Sequence, residues 1–199
     1  MRVINGKTTS HMDAAEVAAW MEMHSGITID LGAGDGRFVR SLAKSRPDRG
    51  AIALDLCEAN LRAASRTAPA NALFVVADAL ALPDELRGLA NRVTVNFPWG
   101  SLLRGLIQGE PGLLAGLAAL ANRQAVIDVV LNGGALAETN WPLEMGAERV
   151  VASLRSIGAK VDSPCLVGRE DLRDYPTTWA KRLAFGRDPR GVRIVARLG

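Results

Sequence analysis

Short apolar runs alternate along this chain with segments whose apolar positions fall at helical spacing. The runs predict strands at 27–31, 51–55, 72–77, 92–97 and 124–131, with two late strands near 160–167 and 191–198. Between them, helices are expected over 36–46, 57–67, within 100–121, and over 144–157. At the start, Arg2 to Ile4 and Lys7 to Thr9 flank Asn5-Gly6, a two-residue hairpin signal. Asp13 with Glu16 three residues on matches a capping box for a helix running to about Met23. Strand and helix in alternation imply an α/β domain with a doubly wound, mostly parallel sheet behind an N-terminal β-hairpin (1–10).

Two segments break the alternation. Residues 132–143 open with Asn-Gly-Gly and end near Trp141-Pro142, and residues 168–190 follow the penultimate strand. Both read as irregular connectors late in the chain, where the substrate side of such a fold is built. With no repeat, low-complexity tract or linker, one domain is expected to span 1–199.

Composition narrows the setting. At 199 residues with 48% hydrophobic positions the chain can bury a full core. It carries neither a membrane-length apolar run nor a signal-peptide layout, so no membrane partner and a cytoplasmic location are expected. Cys57 and Cys165 lack partners at ligand spacing, and only His11 and His24 could assist them, so reduced thiols and no metal are expected. Net charge is +3 but uneven. From Tyr175 onward, Lys181, Arg182, Arg187, Arg190, Arg193 and Arg197 face only Asp188, which leaves 18 basic against 20 acidic residues before it. A basic end on a slightly acidic body suits phosphate contact, and equally suits a solvated face.

Chemistry enters at residues 27–38, where an apolar strand runs into Asp30 and then Gly32, Gly34 and Gly36, spaced by two. Glycines let the backbone pass close to a ligand before a helix opens. Dinucleotide folds space theirs as G-x-G-x-x-G. D-x-G-x-G-x-G is instead the pattern of class I S-adenosylmethionine-dependent methyltransferases, so Asp30, Gly32, Ala33 and Gly34 are expected to line the cofactor.

Further acids fall at strand ends. Asp55 closes the second strand of the set, where a carboxylate accepts from both ribose hydroxyls, or else caps the helix after Cys57. Asp78 follows the next strand, placed for the cofactor's adenine amino group with Ala79 against the ring; an exposed turn is its alternative. Asp30 would orient the methionine ammonium. After the fourth strand comes Asn96-Phe97-Pro98-Trp99. It is similar to the N/D-P-P-aromatic signature of amino-methyltransferases, whose backbone carbonyls hold a base's edge while the ring stacks on it. Such stacking is worth ~1 to 3 kcal/mol. A core aromatic is the other reading of Trp99.

Phe97-Pro98-Trp99-Gly100-Ser101-Leu102-Leu103 and Thr178 to Arg187 resemble the two diagnostic segments of the aminoglycoside-resistance 16S rRNA (adenine(1408)-N(1))-methyltransferases of the kanamycin and apramycin resistance type. The hairpin, the glycine segment and Asp55 resemble that family too. The resemblance implies a Rossmann-like class I fold with a seven-stranded sheet, and S-adenosylmethionine as methyl donor. Trp99 and Trp179 would sandwich a flipped adenine of the 30S subunit's decoding site, and Pro98 and Thr177 would lie near its edge or the cofactor. Lys181, Arg182 and Arg187 would hold rRNA phosphates. A monomer is expected. Two departures concern docking: the 132–143 connector is short for the family, and Asp188-Pro189 interrupts its basic run, leaving Arg190 as a stand-in.

The implied reaction is in-line methyl transfer to adenine N1, whose lone pair needs no strong base, so catalysis would be positioning. The new charge would repel the drugs. An N6-adenine or small-molecule methyltransferase would keep the same cofactor residues. A non-catalytic RNA-binding module would keep the basic tail without needing Asp30 and Asp55.

Overall fold

The computed structural model describes residues 1–186 and 189–199. The chain order is β1 (Arg2–Asn5), β2 (Thr8–His11), α1 (Ala14–Glu22), β3 (Ile27–Leu31), α2 (Arg37–Ser45), β4 (Gly50–Asp55), α3 (Glu58–Ser65), β5 (Ala72–Val76) and β6 (Ala90–Asn96). It continues with α4 (Gly100–Gln108), α5 (Pro111–Leu120), β7 (Ala121–Asn132), α6 (Gly133–Glu138), α7 (Leu143–Ser156), β8 (Lys160–Val161) and β9 (Cys165–Val167). Helices α8 (Arg169–Asp174) and α9 (Thr178–Ala184) precede β10 (Gly191–Arg197).

Among the described residues one sheet of ten strands runs β2-β1-β5-β4-β3-β6-β7-β10-β8, with β9 also on β10. Its five central strands, β5 to β7, are parallel. The expected seven-stranded body is recognisable once β8 and β9 count as one position, split at 162–164 where Pro164 has no N–H to give a ladder. The hairpin is not an appendage: β1 pairs antiparallel with β5 through Val3 and Val75. Its turn is Gly6-Lys7, one residue later than expected, since Asn5 pairs with Thr8 and Gly6 takes φ +59°.

The chain lays down β3, β4 and β5 to one side, then returns to place β6 and β7 on the other side of β3. That reversal opens a crevice at the carboxyl ends of β3 and β6. Alternate strand positions Ile29, Leu31, Val93, Val95, Ile127 and Val129 are fully buried in one core with Leu103, Leu106, Leu117, Val150 and Leu154 from α4, α5 and α7. Each such side chain contributes roughly 1.5–3 kcal/mol. The capping box on α1 forms as expected, Glu16 N–H donating to Asp13 and Asp13 N–H to Glu16, both at 2.9 Å.

Both supposedly irregular connectors carry helix. Asn132 ends β7 and caps α6, its side chain accepting from Ala135 N–H at 2.7 Å, and the 168–190 stretch holds α8 and α9. These helices are too short for an apolar period to show in sequence. Leu172, Ala180 and Ala184 of α8 and α9 pack with Phe97, Val130 and Val167 in a small separate core beside the crevice.

Candidate active site

The glycine segment leaves β3 and is pinned at once to β4, with Gly32 and Ala33 N–H groups donating to Leu54 carbonyl oxygen at 2.9 and 2.8 Å. The glycines do different jobs. A Cβ on Gly32 would lie 2.5 Å from Leu102 Cδ2, and one on Gly36 would lie 2.6 Å from the Phe74 ring, so those two allow close packing. Nothing lies within 4 Å of a Cβ placed on Gly34, which faces the crevice at φ +54°. A cavity of about 260 Å³ opens there, lined by the glycine segment, Asp55, Ala77, Asp78, Ala79 and the 96–102 segment, with Thr177 and Trp179 closing one side.

The three acids have separate environments. Asp30 is 1% exposed, and its Oδ1 accepts from Thr94 Oγ1 at 2.6 Å and Asn96 Nδ2 at 2.8 Å. Burial nevertheless outweighs those bonds and pushes its carboxyl up to about 7. Asp55 accepts from Gly34 N–H on one oxygen and Cys57 N–H on the other, both at 2.8 Å. Asp55 thus ties the glycine segment to the turn that leads into α3, and it lines the cavity. Asp78 is exposed and accepts from Leu80 N–H at 3.0 Å, forming a turn at the cavity rim.

On the opposite wall, Phe97 adopts φ +54°, a left-handed conformation costly for a bulky residue, and its N–H donates to Val130 carbonyl at 2.7 Å. This kink turns Pro98, itself buried, and Trp99 out of the sheet. The Trp99 indole reaches Trp179 with ring centroids 5.1 Å apart and planes 33° from parallel. Its Nε1 is buried with no hydrogen-bond partner among the described residues. Trp179 is 43% exposed at the start of α9, where Thr177 Oγ1 caps the helix by accepting from Ala180 N–H at 2.9 Å. The Arg182 guanidinium sits 5.2 Å above the Trp179 ring.

Across nearly its whole length the chain matches a known family: residues 2–198 fit the model of NpmA, 16S rRNA (adenine(1408)-N(1))-methyltransferase. The chain belongs to this methyltransferase family. Relatives named 16S rRNA (adenine(1408)-N(1))-methyltransferase from Escherichia coli and Streptoalloteichus hindustanus are each 29% identical, over 94% of both chains. Among solved structures, 16S rRNA methyltransferase KamB superposes with a TM-score of 0.91 at 26% identity, covering all of both chains. A variant of the 16S rRNA (adenine(1408)-N(1))-methyltransferase from Catenulisporales acidiphilia with cosubstrate SAM gives 0.85 at 26% identity, over all of this chain and 96% of that one.

S-adenosylmethionine is the methyl donor of this methyltransferase, and the cavity suits it. The open face of Gly34, the carboxylates of Asp30 and Asp55 and the small wall of Ala77 and Ala79 lie along one crevice. The structure brings Trp99, Trp179, Pro98 and Thr177 to the same cavity. Lys181 and Arg182 are exposed on α9 beside it, and Arg190 lies 3.9 Å from Glu144 at the foot of α7. Arg187 lies outside the described residues.

Sequence reading missed four contributors. Asn96, Tyr175, Thr178 and Asp35 join the two walls: Tyr175 hydroxyl donates to Asn96 Oδ1 at 3.0 Å, and Thr178 Oγ1 donates to Asp35 Oδ2 at 2.5 Å. These bonds span 79 and 143 positions, so no local spacing signals them. Asn96 and Asp35 belong to the strand-end motifs and Thr178 opens the second family-like segment, but none of the four carried an expected role of its own.

Proposed function

We propose that this S-adenosylmethionine-dependent 16S rRNA (adenine(1408)-N(1))-methyltransferase holds the flipped decoding-site adenine between Trp99 and Trp179, next to a donor held by the glycine segment, Asp30, Asp55, Asp78 and Ala79. The observation that carries this reading is the meeting of the two indoles at the mouth of the same cavity that Asp30 and Gly34 line. Bound S-adenosylmethionine supplies an electrophilic methyl group. The chain's own residues supply position. The strained turn at Phe97 aims the Pro98 backbone and the Trp99 ring, and the indoles fix the plane of a base whose N1 lone pair needs no proton removed.

A base stacked on both faces needs the rings about 7 Å apart, two contacts of roughly 3.5 Å each. At 5.1 Å the pair is closed on itself. Trp99 packs against the main core, whereas Trp179 is half exposed on a seven-residue helix, so Trp179 is the ring that yields. The stacking gained offsets the unstacking of a loop nucleotide.

The partner is the assembled 30S subunit, gripped as a shape through its phosphates by Lys181, Arg182, Arg187 and Arg190. The solved relatives include an aminoglycoside resistance methyltransferase, NpmB1, and resistance to such drugs is the cellular consequence. Family membership sets aside the N6, small-molecule and RNA-binding-module alternatives. The enzyme acts as a monomer in the cytoplasm; no helix among the described residues is long and apolar enough to cross a membrane. No group of metal-ligating side chains occurs among them.

Purified enzyme with labelled S-adenosylmethionine and isolated 30S subunits tests this reading. Methyl incorporation into 16S rRNA of intact subunits is expected, and equal labelling of protein-free 16S rRNA would contradict recognition of the assembled shape.

A further inference from the structure

The segment carrying Trp179 is tied to the floor of the cofactor cavity by a relay of three side chains. Tyr175, at the end of α8, donates its hydroxyl to Asn96 Oδ1 at 3.0 Å, and the same amide donates through Nδ2 to Asp30 Oδ1 at 2.8 Å. The Tyr175 ring is fixed independently of that hydroxyl, stacking on Phe38 at 6.0 Å and meeting Phe97 edge-on at 5.5 Å. An amide has no orientation of its own: with its oxygen and nitrogen exchanged, Asn96 would offer Asp30 an acceptor. The Tyr175 hydroxyl biases that choice: by donating to the oxygen end it leaves the nitrogen end to donate to an ionised Asp30, whereas the flipped amide requires the hydroxyl to accept and Asp30 to be protonated. Burial pushes Tyr175 itself up to about 12, so the hydroxyl keeps its proton throughout the neutral range.

We propose that Tyr175 is a positioning residue for methyl transfer: by locking the Asn96 amide it holds Asp30 as the carboxylate that receives the donor's ammonium, and ties this to the segment bearing Trp179. The inference rests on the assignment of Asp30 to that ammonium. A donating amide stabilises the charged carboxyl, whereas a freed amide can accept from the protonated one. Asp30 also faces Asp55 from β4 and Asp35 from the glycine segment, both of which favour its protonated form. Around Tyr175 stand Asp128 on β7, Arg193 on β10 and Arg92 on β6. Their mutual bonds leave them paired across the pH range of interest, since Arg92 and Arg193 hold Asp128 below the usual carboxylate range despite its burial.

The test is calorimetric binding of S-adenosylmethionine to the full chain between pH 6 and pH 8, with each affinity expressed as a ratio of variant to wild type so that titration of the ligand's own amine cancels. Tyr175→Phe keeps the ring and removes the donor. Its affinity should be about four- to five-fold below wild type at pH 6 and less than two-fold below at pH 8, as expected if loss of one hydrogen bond raises the midpoint of Asp30 by a fraction of a unit. Asn96→Ala, which spares the Tyr175 ring, should show the same widening at low pH. Phe38→Leu, which loosens the ring but leaves the hydroxyl, should give a ratio independent of pH. A ratio for Tyr175→Phe that stays constant with pH, or a widening equally present in Phe38→Leu, overturns the proposal. Should Asp30→Ala bind as wild type, the ammonium assignment itself fails. If Asp30→Ala loses binding while Tyr175→Phe matches wild type throughout, only the relay fails.

Discussion

The Trp179 ring lies against the Trp99 ring at 5.1 Å, one indole carried by a core-packed turn and the other by a short surface helix. A base held between them, as proposed, needs roughly 2 Å more, so that sandwich requires the Trp179 ring to shift. Replacing either tryptophan by Ala should therefore lower single-turnover methyl transfer to 30S subunits by at least an order of magnitude while changing subunit affinity little, because phosphate contacts hold the RNA. Phe should restore part of the rate at both positions, its smaller face still stacking. Wild-type rates in both Ala variants would show that the rings are only structural.

Asp30 gives a prediction about stability. Its carboxyl is raised from 3.8 to about 7 by burial, so the folded chain holds this proton more tightly than the unfolded chain. Stability must then fall as pH rises from about 4 to about 7 and level off above. Asp30→Asn removes that loss. By urea denaturation the variant should gain on wild type from pH 5 to pH 8, while S-adenosylmethionine binding disappears at every pH. A difference that does not change with pH would mean that Asp30 is not strained by burial.

The glycines separate packing from ligand approach. Gly32→Ala drives a Cβ into Leu102 and should lower the melting temperature by several degrees. Gly34→Ala meets no atom, so its cost is confined to the positive φ, on the order of 1 kcal/mol. It should fold and yet bind S-adenosylmethionine at least ten-fold more weakly. Equal affinity in Gly34→Ala would place the ligand elsewhere.

On α9, Lys181 and Arg182 are exposed, but Arg182 also stacks on Trp179. Lys181→Ala should weaken 30S binding and flatten its salt dependence with no effect on the rate once bound. Arg182→Ala should do both and slow transfer as well, since the ring it steadies is freed. Identical behaviour of the two variants would argue against the ring contact.

Local chemistry made much of this legible. Asp30, Gly34 and Asp55 sit at strand ends, where an apolar run followed by an acid or glycines is visible without any partner, and all three line the cavity. The pair Trp99 and Trp179 could be joined in advance only through family resemblance, because 79 residues separate them. The helices α6, α8 and α9 escaped detection because seven residues or fewer cannot display a helical period. The bonds of Tyr175 and Thr178 were not legible for another reason: they run over long range to Asn96 and Asp35 and exist only after the sheet has formed.

The methyl group goes to N1 of the adenine at position 1408 of 16S rRNA. Reverse transcription across 16S rRNA from cells expressing the protein reads this directly, since a methyl on N1 blocks Watson–Crick pairing. A strong stop is expected immediately 3′ of 1408, absent when Asp30→Ala is expressed at the same level. Unimpeded extension through 1408 with active wild-type enzyme, or an equal stop with Asp30→Ala, would contradict it.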